Sequence, residues 1–144
     1  MSTPRQTLCP SAQPEWEGSQ TIGVIGGTAS APEVAYLSES QPVTPELLEL
    51  ARPVKPTEVF RFAAPCANKG CAHFSDQQST CKLAEKIVRW APVVVEKLPA
   101  CTIRPNCRWW QQEGKAACLR CPQIVTERLQ APESLSKAAD PAIP

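Results

Sequence analysis

Eight cysteines carry the chemical content of this sequence: Cys9, Cys66, Cys71, Cys81, Cys101, Cys107, Cys118 and Cys121. Seven fall between positions 66 and 121, and Cys9 stands 57 positions ahead of the next. In a reducing compartment, clustered cysteines hold metal or do redox chemistry rather than form structural disulfides. The segment reads Cys66-x4-Cys71-x9-Cys81, a gap of nineteen, then Cys101-x5-Cys107-x10-Cys118-x2-Cys121-Pro122. The second group is a complete four-thiolate set. The first supplies three thiolates and leaves its fourth position open to three readings. Cys9 would make a second four-cysteine site and use all eight thiols. His73, the one histidine, would make a Cys3His site. A cluster with one open iron would need neither.

The spacing bears on the metal. Structural zinc sites usually take two knuckles, each a pair of ligands two to four residues apart. Only Cys118–Cys121 and Cys66–Cys71 approach that pattern; the x9, x5 and x10 gaps do not. An iron–sulfur cube is larger than a single ion and accepts ligands from irregular loops, and Cys-x2-Cys-Pro resembles the end of a ferredoxin cluster run. The full ferredoxin run is absent. The spacing therefore favours one or two iron–sulfur clusters, [4Fe–4S] in type, with zinc as the alternative. A four-thiolate centre of either kind carries a charge of about −2. Arg104, Arg108, Lys115 and Arg120, interleaved with the second group, are placed to offset it or to form a solvated basic face.

Other chemistries find less support. Cys118-x2-Cys121 as a dithiol redox pair needs a βαβ setting with the first cysteine opening a helix, and here two more cysteines stand just upstream. Gly23-x2-Gly26-Gly27 lacks the Lys-Ser/Thr of a phosphate loop and the third glycine of a dinucleotide fingerprint, so it reads as a turn. His73 also reads as a loop histidine bonded to backbone. With a single histidine, no nucleophile–base triad can be assembled, so no enzyme is indicated. Trp90, Trp109 and Trp110 would shield a cluster or simply pack a small core.

The elements that must position these residues follow from periodicity. Thr21–Ile25, Glu33–Leu37 and Glu58–Ala63 read as strands, the last with Val59 and Arg61 on one face and Phe60 and Phe62 on the other. Thr44-Pro45-Glu46 starts a short helix to about Ala51. From Cys81, the positions Leu83, Ala84, Ile87, Val88 and Ala91 recur at helical spacing. Pro92 interrupts, with a resumed helix expected over Val93–Leu98. Arg108–Glu113 reads as a short helix ended by Gly114. The fold class expected is α+β: a small antiparallel sheet with one helix over 15–64, then a loop-rich, metal-organised half with short helices over 65–130. Positions 1–14 read as a flexible tail, tied down at most at Cys9, and 131–144, rich in Ala, Ser and Pro, as a disordered one.

Composition sets the bounds. The chain has 144 residues, 42% hydrophobic and 20% charged, with a net charge of +1, and one residue in nine is proline. It is too apolar for a disordered chain and holds no apolar run fit to span a membrane. Six Glu against one Arg leave positions 1–50 at −5, and nine Lys and Arg against four Asp and Glu leave 66–121 at +5. That excess is modest for nucleic acid, even with Trp109 and Trp110 beside Arg108. The first twenty positions show no basic start followed by an apolar stretch, so a cytoplasmic location is expected. A disulfide-stapled protein of an oxidising compartment is the remaining alternative.

At Pro65-Cys66-Ala67-Asn68-Lys69-Gly70-Cys71-Ala72-His73-Phe74, at Cys107 through Gly114 and at Ala117 through Pro122, the chain resembles a group of small uncharacterised cysteine-rich bacterial proteins. Some of these carry the automatic label "nitrogen fixation protein". The similarity runs from about Cys9 to Thr126. It implies an accessory protein in metal or redox metabolism and assigns no activity. The expected function is thus an iron–sulfur accessory or electron-transfer protein with a redox or metal-metabolism partner, the alternative being a zinc-stabilised interaction module.

Overall fold

A computed structural model describes residues 7–28, 31–66, 71, 73–75, 77–78, 80–125 and 133–141. Four strands form the main sheet: β1 (Leu8–Ala12), β2 (Gln20–Gly27), β3 (Pro32–Pro42) and β4 (Phe60–Pro65). Their order is β1-β4-β2-β3, and every pairing is antiparallel. The chain is α+β, as its periodicities predict. β2 and β3 form a long hairpin in which Gly27 takes φ +75°, and a Cβ there would meet the Ala31 carbonyl at 2.4 Å. The turn expected at Gly26-Gly27 is corrected: both residues end β2, paired with Glu33 and Pro32, and the chain turns after them.

β4 is an inner strand, buried from Phe60 through Ala64. Its alternation sorts the two faces. Phe60, Phe62 and Ala64 pack with Ala12, Ala51, Leu47 and Leu48. That layer is supplied by α1 (Pro45–Glu49), whose N-cap Thr44 accepts the Leu47 amide at 3.2 Å. A further single turn, α2 (Pro56–Val59), leads into β4. On the other face, Ala63 and Ile22 pack against the cysteine-rich half, in a core that includes Ile87, Trp109, Ala117 and Leu135.

That half is built of short pieces. A two-residue hairpin, β5 (Phe74–Ser75) and β6 (Thr80–Cys81), runs into α3 (Lys82–Trp90). Then come α4 (Arg108–Glu113), α5 (Lys115–Cys118) and a 3-10 turn over Cys121–Gln123. Gly114, at φ +65°, ends α4 as predicted.

Three further expectations need correction. The first concerns 1–14: Leu8–Ala12 is not tail but an edge strand, because Leu8 and Ala12 have apolar sockets and Cys9 pairs with Ala64. The second concerns 131–144: Glu133–Ala139 forms α6, which buries Leu135 and Ala138 against the core beside α3. The third concerns Val93–Leu98, which is irregular. The carbonyls just ahead of it are claimed from elsewhere, Arg120 Nε donating to Ala91 O at 2.8 Å and Gln123 Nε2 to Pro92 O at 2.7 Å, and its own Val94 amide donates to Leu119 O at 3.0 Å. Those bonds and Pro92 hold the stretch as a fastened loop. The remaining tail positions, 1–6, 131–132 and 142–144, lie outside the described residues.

Candidate metal centre

The eight thiols are all unpaired by disulfide; Cys107 is buried and the rest are half-buried. They sort into two sets of four, each lining one cavity. Cys9, Cys66, Cys71 and Cys81 line a roomy cavity of about 400 Å³, with His73, Trp16, Phe74 and Arg108 in the same wall. Cys101, Cys107, Cys118 and Cys121 line a tight, apolar one of about 20 Å³, with Tyr36, Ile103 and Arg104. Cys101, Cys107, Cys118 and Cys121 share one cavity wall and Cys66, Cys71 and Cys81 the other, and both Cys9, carried by β1, and His73 line the latter. Within each set the side chains stand around the cavity: among the described residues, no three His, Cys, Asp or Glu side chains are close enough to hold a single ion.

Local structure explains how each sulfur is aimed. Cys81 is the N-cap of α3; its side chain makes no cap hydrogen bond, but the Leu83 and Ala84 amides of the first turn act on its sulfur in favour of the thiolate. Cys107 stands at the N-cap of α4 in the same way, with the Trp109 and Trp110 amides acting on its sulfur. The free N–H groups of a first helical turn favour a thiolate there. Cys9 accepts from the Ser11 amide, Cys101 from Ile103, and Cys71 from the His73 amide at 3.4 Å. The sets are also braced to each other. The side-chain amide of Gln112, on α4, bonds both the N–H (2.7 Å) and the C=O (2.9 Å) of Cys81.

Burial works against ionisation of the bare thiols. It pushes Cys9 and Cys107 up to about 12 from an ordinary 9.0, and raises Cys81, Cys101 and Cys118 as well, with nearby amides or Arg104 offsetting part of the effect. Without metal these thiols are neutral at pH 7. Metal binding there must therefore release protons.

One side chain fits neutral thiols badly. Arg61, on β4, is fully buried. Its Nε donates to Pro10 O at 2.7 Å, Nη1 to Cys121 O and Ile124 O at 2.9 and 3.1 Å, and Nη2 to Cys121 Sγ at 3.0 Å. Its guanidinium lies 5.6 Å from the Trp109 ring centroid. Among the described residues no carboxylate pairs with it. Burial lowers its pKa, but the sulfur of Cys121 and the oxygen of Tyr36 more than reverse this, so it stays charged. A buried cation without an anion is costly, and thiolates in the second set are the anions within its reach.

The donor types thus suit a thiolate-bound metal at both sets, while the room that a cluster needs is found at the first and not at the second. His73 Nδ1 is buried in the roomy site's wall without a hydrogen-bond partner. Burial and the charges of Lys86 and Lys82 lower its pKa, so it is neutral. Its amide is bonded to Cys71, but the backbone-bonded ring expected of a loop histidine is not what the structure describes.

The basic residues divide differently from their spacing. Arg104 lies in the tight site, bonded to Cys118 and to Pro99 O. Arg108 faces the roomy site instead. Arg120 bonds the Ala91 and Ala116 carbonyls, and Lys115 lines neither cavity. Sequence reasoning missed two residues at the second set, Arg61 and Tyr36. The signal for Arg61 was a lone cation inside the apolar run Phe60-Arg61-Phe62-Ala63-Ala64; nothing marked Tyr36.

Comparison of the chain with protein-family models, with curated proteins and with solved structures finds no match to any of them. No described helix is long and apolar enough to cross a membrane.

Proposed function

We propose that this chain is an iron–sulfur accessory protein of a reducing cytoplasm, holding clusters of the [4Fe–4S] type on Cys9, Cys66, Cys71 and Cys81 and on Cys101, Cys107, Cys118 and Cys121. It passes single electrons to a partner enzyme of redox or metal metabolism, or serves in that enzyme's maturation. The observation that carries this reading is the sorting of eight sulfurs into two all-cysteine sets, each around one cavity. Four thiolates around the roomy first cavity suit a cube better than a lone ion, which draws its sulfurs to about 2.3 Å from one point. Arg61 supports it as a built-in counter-charge. No catalytic side chain is required, because the cofactor carries the chemistry and the protein sets its potential and access.

The tightness of the second cavity favours a second reading for that site: zinc, in a protein-interaction module without redox work. Anaerobic isolation separates the two. Iron with acid-labile sulfide, and visible absorption that bleaches on reduction, supports clusters. A colourless protein with stoichiometric zinc refutes them.

A further inference from the structure

The roomy cavity is lined by one ligand more than a cluster needs. Cys9, Cys66, Cys71, Cys81 and His73 all stand in its wall, and a [4Fe–4S] cube takes four ligands. Three of the sulfurs and the imidazole come from one short stretch. Cys66 directly follows β4, with its amide on Thr7 O at 2.8 Å. Cys71 and His73 are two positions apart, and Cys81 pairs with Phe74 across the β5–β6 hairpin. The remaining sulfur, Cys9, arrives from a different element, the edge strand β1. The stretch 66–81 thus carries a four-ligand set of its own, and β1 adds a second candidate for the fourth place.

His73 is held for such a role. Its carbonyl accepts the Lys82 amide at 2.7 Å, and its own amide donates to Cys71 Sγ at 3.4 Å. Those bonds occupy its backbone and leave the ring to the cavity wall. Nδ1 is buried there with no hydrogen-bond partner. A buried polar nitrogen left unbonded is costly, and a metal in the cavity would remove that cost, since imidazole serves beside thiolate as an iron ligand. Among the described residues, no three of these side chains converge on a single ion. Around a cube each ligand meets its own iron, so Cys9 and His73 compete for one corner.

We infer that Cys9 and His73 are alternative ligands to one iron of the cluster in the roomy site, with Cys66, Cys71 and Cys81 holding the other three. This rests on the iron–sulfur reading of that site and asks nothing of the tight one. In the exchange, the Fe–S bond to Cys9 breaks, the Nδ1 lone pair forms an Fe–N bond, and the freed sulfur takes one proton from solvent. No electron moves. A neutral imidazole in place of a thiolate leaves the centre one charge less negative, and imidazole ligation raises a cluster's potential. The site therefore has two settings, a lower potential on Cys9 and a higher one on His73. It also frees Cys9 without dropping the cluster, which suits a site that hands its cluster to a partner's thiols.

The test uses the full chain isolated without oxygen, with iron and sulfide counted and the reduced protein followed by electron paramagnetic resonance. His73 is the one histidine, so hyperfine coupling from a bound imidazole nitrogen has a single source. Cys9→Ala should keep the parent's iron and sulfide, show that coupling, and raise the site's reduction step by about tenfold in its equilibrium constant, or about 59 mV for one electron. His73→Ala should keep the parent's iron and sulfide and show no coupling. The double variant should lose the roomy site's iron and sulfide. If Cys9→Ala does not fold, Cys9→Ser is read in the same way. A Cys9→Ala protein that loses the cluster, or keeps it without nitrogen coupling, overturns the exchange and leaves the cluster reading intact. So does a His73→Ala protein that loses the cluster, or a double variant that keeps it. A folded parent without iron and sulfide overturns both.

Discussion

Arg61 ties the sheet to the second cysteine set, and its charge makes the site's electrostatics testable. With thiolates beside it, the guanidinium has its anion; with neutral thiols it is a buried cation among carbonyls. Replacing such a charge by an apolar residue of similar size is often neutral or stabilising where its anion is missing, and damaging where the anion is present. Arg61→Met is therefore expected to leave the metal-free protein no less stable in urea, while metal retained by the second set falls sharply. Metal retention equal to the parent's would remove Arg61 from the account. The thiols give a second outcome. Cys9 and Cys107 are raised from 9.0 to about 12 in the fold. Burying them neutral stabilises the metal-free protein fully below pH 9, and that stability is lost as pH rises from 9 towards 12. The expected loss is at most about 1.4 kcal/mol per thiol for each pH unit in that window. It is read as a falling urea midpoint; a midpoint flat from pH 9 to 12 would contradict it. Metal binding should instead strengthen as pH rises from 6 to 8, since it must displace protons.

At the scale of elements, what could be read ahead depended on whether the signal was local. α4 and its Gly114 stop, the Thr44 cap of α1 and the opposite facing of Arg61 and Phe62 are written in a few adjacent residues and stand where the periodicity puts them, but Glu58 and Val59, read as strand, close α2 instead, and Val59 packs with Phe60 and Phe62. That Cys101, Cys107, Cys118 and Cys121 line one cavity and Cys66, Cys71 and Cys81 another was legible because residues close in sequence are easily brought together; spacing did not choose between Cys9 and His73, and both line the first cavity. β1 and α6 were not legible. Leu8–Ala12 has too few apolar residues to show a period, and pairing with β4, 50 to 57 positions away, creates the strand. Among the described side chains, α6 presents Leu135 and Ala138 to the core, too little to stand out in an Ala- and Ser-rich stretch. Arg61 was read as the polar alternation of a strand, yet β4 lies inside the sheet and buries both faces, so its polar face became a site. The importance of α6 has a direct check. Leu135→Ala should cost about 2–4 kcal/mol of unfolding free energy. A cost under about 0.5 kcal/mol would mean that the helix does not dock. Gly27→Ala, which forces a Cβ against the Ala31 carbonyl at positive φ, should cost about 1–3 kcal/mol and leave metal content unchanged.

The whole molecule is a sheet with two unlike faces. One is packed by α1 through ordinary apolar contacts; the other is covered by short pieces that the cysteines punctuate. A half made of four- to nine-residue helices and two-residue strands has little regular structure to hold it. Metal–thiolate bonds supply the missing constraint in small domains of this kind. Chelation should then loosen residues 66–124 while the β2–β3 hairpin and its α1 layer keep their amide protection, as followed by hydrogen exchange. Uniform protection in the metal-free protein would show that the metal is not structural. The most direct test of the central claim is elemental: iron, zinc and acid-labile sulfide counted per chain on protein isolated without oxygen. The account expects about four iron and four sulfide for each four-cysteine site, with zinc absent. Protein that is fully folded yet holds neither iron nor sulfide would contradict it.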